Sequence, residues 1–166
     1  MKRIILHPLV AVIMVFFVAS GNLNSQGLSF TIKLDKSEYT KGEPVSCIMI
    51  LKNTGAKDLV VNNRFLVNRP SGPHEVSFQI TDQDMNMIPF SAKVNASRES
   101  KEFIILHPGQ GDSATYLLSK RFTMAETGVY YVEAYYENRV DPPGSLKMAS
   151  SWKGDLKSNK IIFTLR

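Results

Sequence analysis

Tyr131, Glu133 and Tyr135 form the most chemically suggestive group in this 166-residue chain. In an extended segment, residues two apart share a face, so two phenol rings would flank one carboxylate. Such a set can stack on sugar rings or grip a peptide. Trp152, the only tryptophan, lies in Ser150-Ser151-Trp152-Lys153-Gly154 and is the candidate fourth member of the ligand-binding set. Packing alone also favours aromatics in strands. The stretch 139–156 could then fold over this face, with Trp152 anchoring its own loop.

Other groupings carry less chemistry. Asp82, Asp84 and Asn86 open like a calcium loop, but Met87 stands where an EF-hand needs Gly and Lys93 where it needs Glu. A hairpin turn between Phe78–Ile80 and Met87–Ile88 accounts for the same polar cluster. His74 and His107 sit singly beside prolines, whereas a zinc site gathers about four ligands. Cys47, between Ser46 and Ile48, reads as a small buried hydrophobe rather than a nucleophile. There is no G-x-S-x-G turn and no phosphate-cradling glycine loop. Asn95-Ala96-Ser97 matches the short glycosylation sequon. The expectation is a chain without catalytic residues, metal or cofactor.

The first residues give an address. Lys2 and Arg3 precede an uncharged apolar stretch from Leu9 to Ala19, and Val18-Ala19-Ser20 supplies the small residues a signal peptidase reads. Cleavage is expected between Ser20 and Gly21, releasing the protein to the periplasm or beyond. The apolar run is shorter than the ~20 residues a spanning helix needs, so no membrane span is expected after cleavage. No cysteine stands near the cut to carry a lipid.

Removing residues 1–20 leaves 166 − 20 = 146 residues, enough for one domain over residues 21–166. Lys plus Arg falls from 20 to 18 against 15 acids, a net charge of 18 − 15 = +3. The bases are scattered rather than gathered into a stripe with stacking aromatics, so nucleic acid is not an expected partner. One cysteine excludes an intrachain disulfide, and a domain of this size can stand on its core alone.

The pattern is β throughout. Leu28, Phe30, Ile32 and Leu34 alternate with polar residues, and Val45, Cys47, Met49 and Leu51 repeat the pattern after Lys41-Gly42-Glu43-Pro44. Ile48 and Ile50 make the other face of that second strand apolar as well, as if something covered it. Asp58–Val61 starts a third strand, which Arg64–Val67 could continue past a bulge. Further strands are expected at Glu75–Ile80, Phe103–Leu106, Ala114–Leu118, Val129–Tyr136 and Ile161–Leu165. The stretch 139–156 shows no period. Seven to nine short strands separated by turns make an all-β, antiparallel sandwich.

Tyr39-Thr40-Lys41-Gly42-Glu43-Pro44-Val45, the alternation to Leu51, and Lys52-Asn53-Thr54-Gly55 together resemble the first hairpin of bacterial extracellular immunoglobulin-like domains. These include the family related to bacterial proteinase-inhibitor and macroglobulin-type modules. Gly128-Val129-Tyr130-Tyr131-Val132-Glu133-Ala134 resembles their penultimate strand, and Glu126, Gly128 and Tyr130 resemble a tyrosine corner. The resemblance implies an immunoglobulin-like fold. It makes Gly128, Tyr130, Cys47 and Val132 fold-defining, with Cys47 and Val132 standing where antibody-type domains place their bridging cysteines. It licenses little about function. The leading expectation is a binding module for an unidentified protein or glycan. The alternatives are a proteinase inhibitor acting through Arg69–Pro73 or Arg139–Gly144, and an envelope-assembly subunit docked through Ile48 and Ile50.

Overall fold

The computed structural model describes residues 27–68, 75–91, 103–146 and 150–166. The signal-like segment, the Arg69–Pro73 loop, His74 and the Asn95–Ser97 sequon lie outside the described residues. Eleven strands lie among the described residues: β1 (Leu28–Leu34), β2 (Glu38–Tyr39), β3 (Ser46–Asn53), β4 (Leu59–Asn62), β5 (Val76–Thr81) and β6 (Phe103–Leu106) come first. They are followed by β7 (Gly111–Leu117), β8 (Gly128–Asn138), β9 (Ser150–Ser151), β10 (Gly154–Lys157) and β11 (Ile161–Leu165). The all-β class stands; the strands outnumber the expected seven to nine because three pieces of two to four residues, β2, β9 and β10, leave no periodic trace.

Strands β1, β3 and β7 form one antiparallel sheet with β3 in the centre. The second sheet is built around β8, whose eleven residues pair with β5 along one side. Along its other side β8 pairs first with β11 and then with β10, and β2 lies parallel beyond β11. A small third sheet holds β4 between antiparallel β6 and parallel β9.

Period-two patterning explains how the first two sheets close on each other. Leu28, Phe30 and Ile32 of β1, and Cys47, Met49 and Leu51 of β3, join Tyr130, Val132, Ala134 and Tyr136 of β8 in one buried cluster. Phe30 lies 5.8 Å from Tyr136, and Phe78 of β5 stacks on Tyr116 of β7 at 5.7 Å. The molecule is therefore an all-β sandwich without a disulfide.

Hydrogen bonds to polar side chains fix the joints. Tyr130 Oη donates to Glu126 O at 2.7 Å, which forms the expected corner. Gly128 has φ = 146°, a conformation open to Gly, and a Cβ there would meet Gln83 Oε1 at 3.1 Å. Asn53, fully buried, donates to Lys57 O and Leu106 O at 2.8 Å each and accepts from Gly55 N at 2.9 Å, which ties the β3–β4 turn to β6. Asn159 replaces a strand at the β1 edge: its amide accepts from Ile32 N at 2.9 Å and donates to Ile32 O at 3.1 Å.

Two expectations need correction. Arg64–Val67 is not a strand: it is an arc with Phe65 at φ = 50° and only one bridge, Val67 to Val76. The carboxylate of Glu75 takes the amide of Leu66 at 3.0 Å and pulls the chain out of the extended form. Ile48 and Ile50 are not covered by the described chain; Ile48 is 37% exposed and Ile50 is half-buried.

Cys47 is fully buried, and burial pushes its thiol up to about 12. A thiol-reactive dye at pH 8 should leave native protein unlabelled and label one thiol per chain once denatured. The raised pKa also sets a sign. The protonated form is the one that folds, so this contribution is complete below the ordinary thiol range and is lost as pH rises from about 9 toward 12. Burial raises Tyr39, Tyr116, Tyr130 and Tyr136 in the same direction, so alkaline unfolding should be steep.

Candidate functional site

Strand β8 separates its residues cleanly: Tyr130, Val132, Ala134 and Tyr136 are buried, while Tyr131, Glu133, Tyr135 and Glu137 are half-exposed on the outer face. The register then identifies their neighbours. Tyr131 stands between Thr81 of β5 and Ile162 of β11, and Thr81 also pairs with Met87. Met87, Thr81, Tyr131 and Ile162 thus run as one row across the sheet. Met87 is 57% and Ile162 55% exposed, so the row carries two bare apolar side chains on either side of a phenol ring.

The next rows are polar. Glu133 stands beside Gln79, and Tyr135 stands between Ser77 and Lys157. Tyr135 Oη donates to Gln79 Oε1 at 3.2 Å. Lys157 Nζ lies 3.0 Å from Glu133 and 5.7 Å from the centre of the Tyr135 ring, and Lys160 Nζ lies 5.4 Å from that of Tyr131. Its hydrogen bond to Glu133, above all, raises the pKa of Lys157, which stays cationic. Each tyrosine therefore carries an ammonium over its ring rather than a bare face. Farther along, Arg139 pairs with Glu137 and, at 2.9 Å, with Asp155.

Of the four expected ligand-binding residues, the structure brings Tyr131, Glu133 and Tyr135 together and places Trp152 elsewhere. Trp152 is 3% exposed and packs against Tyr136 on the core side of β8, with ring centres 5.7 Å apart. The described part of 139–156 includes two strands, neither of which lies over the tyrosine face. It runs through a 3-10 turn (Gly144–Leu146) into β9, which pairs with β4, and then into β10 beside β8. Sequence reasoning missed Met87, Ile162, Lys157 and Lys160. The burial of Phe163 and Leu165 was a usable signal for Ile162, since period two turns it outward.

The Asp82–Asn86 run is a turn closed on itself. Asp82 Oδ1 accepts from Asp84 N and Asn86 N at 2.9 and 2.8 Å, and Oδ2 accepts from Asn86 Nδ2 at 3.0 Å. Those bonds, led by the Asn86 side chain, lower the Asp82 pKa. His107 pairs with Asp58 at 2.8 Å on the surface. Among the described residues, no group of three or more His, Cys, Asp or Glu could hold a metal, and no helix is long and apolar enough to cross a membrane. No protein-family model matches this chain, and no curated protein matches it significantly.

Proposed function

We propose that this protein is an exported, non-catalytic binding module, and that its partner is a protein docking on the outer face of the β8 sheet. One observation carries the reading: the row Met87–Thr81–Tyr131–Ile162, with exposed apolar ends and a charged surround of Glu133, Lys157 and Lys160. Protein interfaces concentrate aromatics and Met inside a polar rim. Sugar platforms need an open ring face, and here a lysine sits over each tyrosine. Lys2, Arg3, the Leu9–Ala19 stretch and the Ser20–Gly21 junction support export. The likeness to bacterial extracellular immunoglobulin-like domains agrees with both.

The inhibitor reading draws less support from Arg139–Gly144. Arg139 is held by Glu137 and Asp155, Asp141 by Lys153 at 2.7 Å, and Pro142 is buried. Replacing Tyr131 and Ile162 together by Ala should weaken partner binding by at least about tenfold, the effect of losing two central contact residues. A photo-cross-linking residue at position 162 should trap the partner, and one at Thr31 on the opposite sheet should not. Equal trapping at both positions would remove the proposal.

A further inference from the structure

The sandwich protects its sheet edges unevenly. The β1 edge is capped by the amide of Asn159. The β5 edge is closed at one end by Leu66 and Asn68, which bond Val76, and at the other by Ile88, which donates to Ile80 O. Strands β2 and β10 are only two and four residues long. Among the described residues, strand β7 has none of these devices. It runs seven residues, Gly-Asp-Ser-Ala-Thr-Tyr-Leu, without lysine or proline, and among the described residues it pairs with β3 alone. Its one charged side chain, Asp112, is engaged by Asn63 Nδ2 at 3.0 Å. Natural proteins blunt long free edges unless the edge is used.

Register determines what β7 offers. Leu118 N donates to Val45 O, and Ser46 pairs with Leu117, so even-numbered residues of β7 bond to β3. The N–H and C=O of Ser113, Thr115 and Leu117 therefore point out of the sheet. Inward-facing Ala114 and Tyr116 remain half-exposed, as expected at a rim that no described residue covers.

We infer that β7 pairs antiparallel with β7 of a second copy of this chain, joining the two three-stranded sheets across a two-fold axis at Thr115. In that register Ser113 faces Leu117 of the other copy and Ala114 faces Tyr116, which covers both half-exposed inner residues. Charge favours the same arrangement. Asp112 stands at the start of β7, and exposed Lys120 and Arg121 lie just past its end, with Arg121 beside the Tyr116 hydroxyl. Antiparallel self-pairing brings each acid to the other copy's basic pair, whereas parallel pairing sets like against like. A closed two-fold contact also uses the edge up, so it forms dimers and not filaments.

Sedimentation velocity and light scattering on the purified protein test this. The wild type should be a dimer at micromolar concentration. Thr115→Lys and Thr115→Glu each place like charges across the axis and should weaken association by at least about tenfold. Thr115→Ser should remain dimeric. Mixing the Lys and Glu variants in equal amounts should restore a dimer of one of each. Circular dichroism verifies that the variants fold, as expected for an exposed side chain. A wild-type monomer at high micromolar concentration, Lys and Glu variants that dimerise like the wild type, or a mixture that stays monomeric would each overturn the inference. None of these results bears on the tyrosine face, which lies on the other sheet.

Discussion

Glu75→Ala should cost about 3–5 kcal/mol of folding free energy, the range for stripping one partner from a buried ion pair. The Glu75 side chain is 7% exposed and pairs with Arg64. It also accepts from Arg64 Nε at 3.3 Å, from Leu66 N at 3.0 Å and from Asn62 Nδ2 at 3.4 Å. These bonds hold the arc in which Phe65 adopts φ = 50° and packs against Tyr136, with ring centres 6.5 Å apart. Alanine would take the carboxylate away from a largely buried guanidinium and release a backbone that is held against its own preference. Glu75→Gln keeps the volume and one acceptor, so its loss should be smaller. Urea unfolding measures both; a loss under about 1 kcal/mol for Glu75→Ala would mean that the pair contributes as little as an exposed one.

Trp152→Ala should cost a similar amount, about 3–5 kcal/mol, through a cavity the surroundings cannot refill. The backbone on either side is pinned: Trp152 N donates to Val60 O at 2.9 Å, and Trp152 O accepts from Asn138 Nδ2 at 2.7 Å. Gly154 packs against the ring, since a Cβ there would stand 3.4 Å from it. Nε1 is buried with no hydrogen-bond partner among the described residues. Trp152→Phe removes that unpaired donor along with some volume, so it should cost clearly less than Ala. As the only tryptophan, Trp152 also reports on itself. Native emission should be blue-shifted and shielded from acrylamide, and both properties should vanish on unfolding. Exposed-type emission from the native protein would place the ring outside the core.

The long strands were legible because each buries one face. Leu28–Ile32 alternates apolar with polar residues, Tyr130–Tyr136 sets Glu133 among its outward positions, and burial alternates along both as it does along Cys47–Leu51, whose outward Ile48 and Ile50 are apolar too. The corner at Tyr130 was legible too, since Glu126, Gly128 and Tyr130 are close in sequence. What escaped depends on distant partners. Strand β9 has two residues and a parallel neighbour, and β10 has one buried apolar residue, Leu156, so neither carries a local period. Trp152 lies on the core side only because β9 joins β4, a pairing no nearby residue announces. Phe65 and Val67 alternate like a strand, yet Glu75 reshapes them through its side chain. The outer row formed only after three registers were fixed: its tyrosine was visible in sequence, but Met87 and Ile162 became its neighbours through pairing alone.

The most direct test compares what three forms of the protein capture from native envelope and culture fluid, followed by mass spectrometry. The forms are wild type, the Tyr131→Ala/Ile162→Ala variant, and an Ile48→Ala/Ile50→Ala variant altered on the opposite sheet. A partner protein enriched by the wild type and by the Ile48/Ile50 variant, but lost with Tyr131 and Ile162, is the expected result. Equal capture by all three forms, or loss only with Ile48 and Ile50, would contradict a binding face on the β8 sheet.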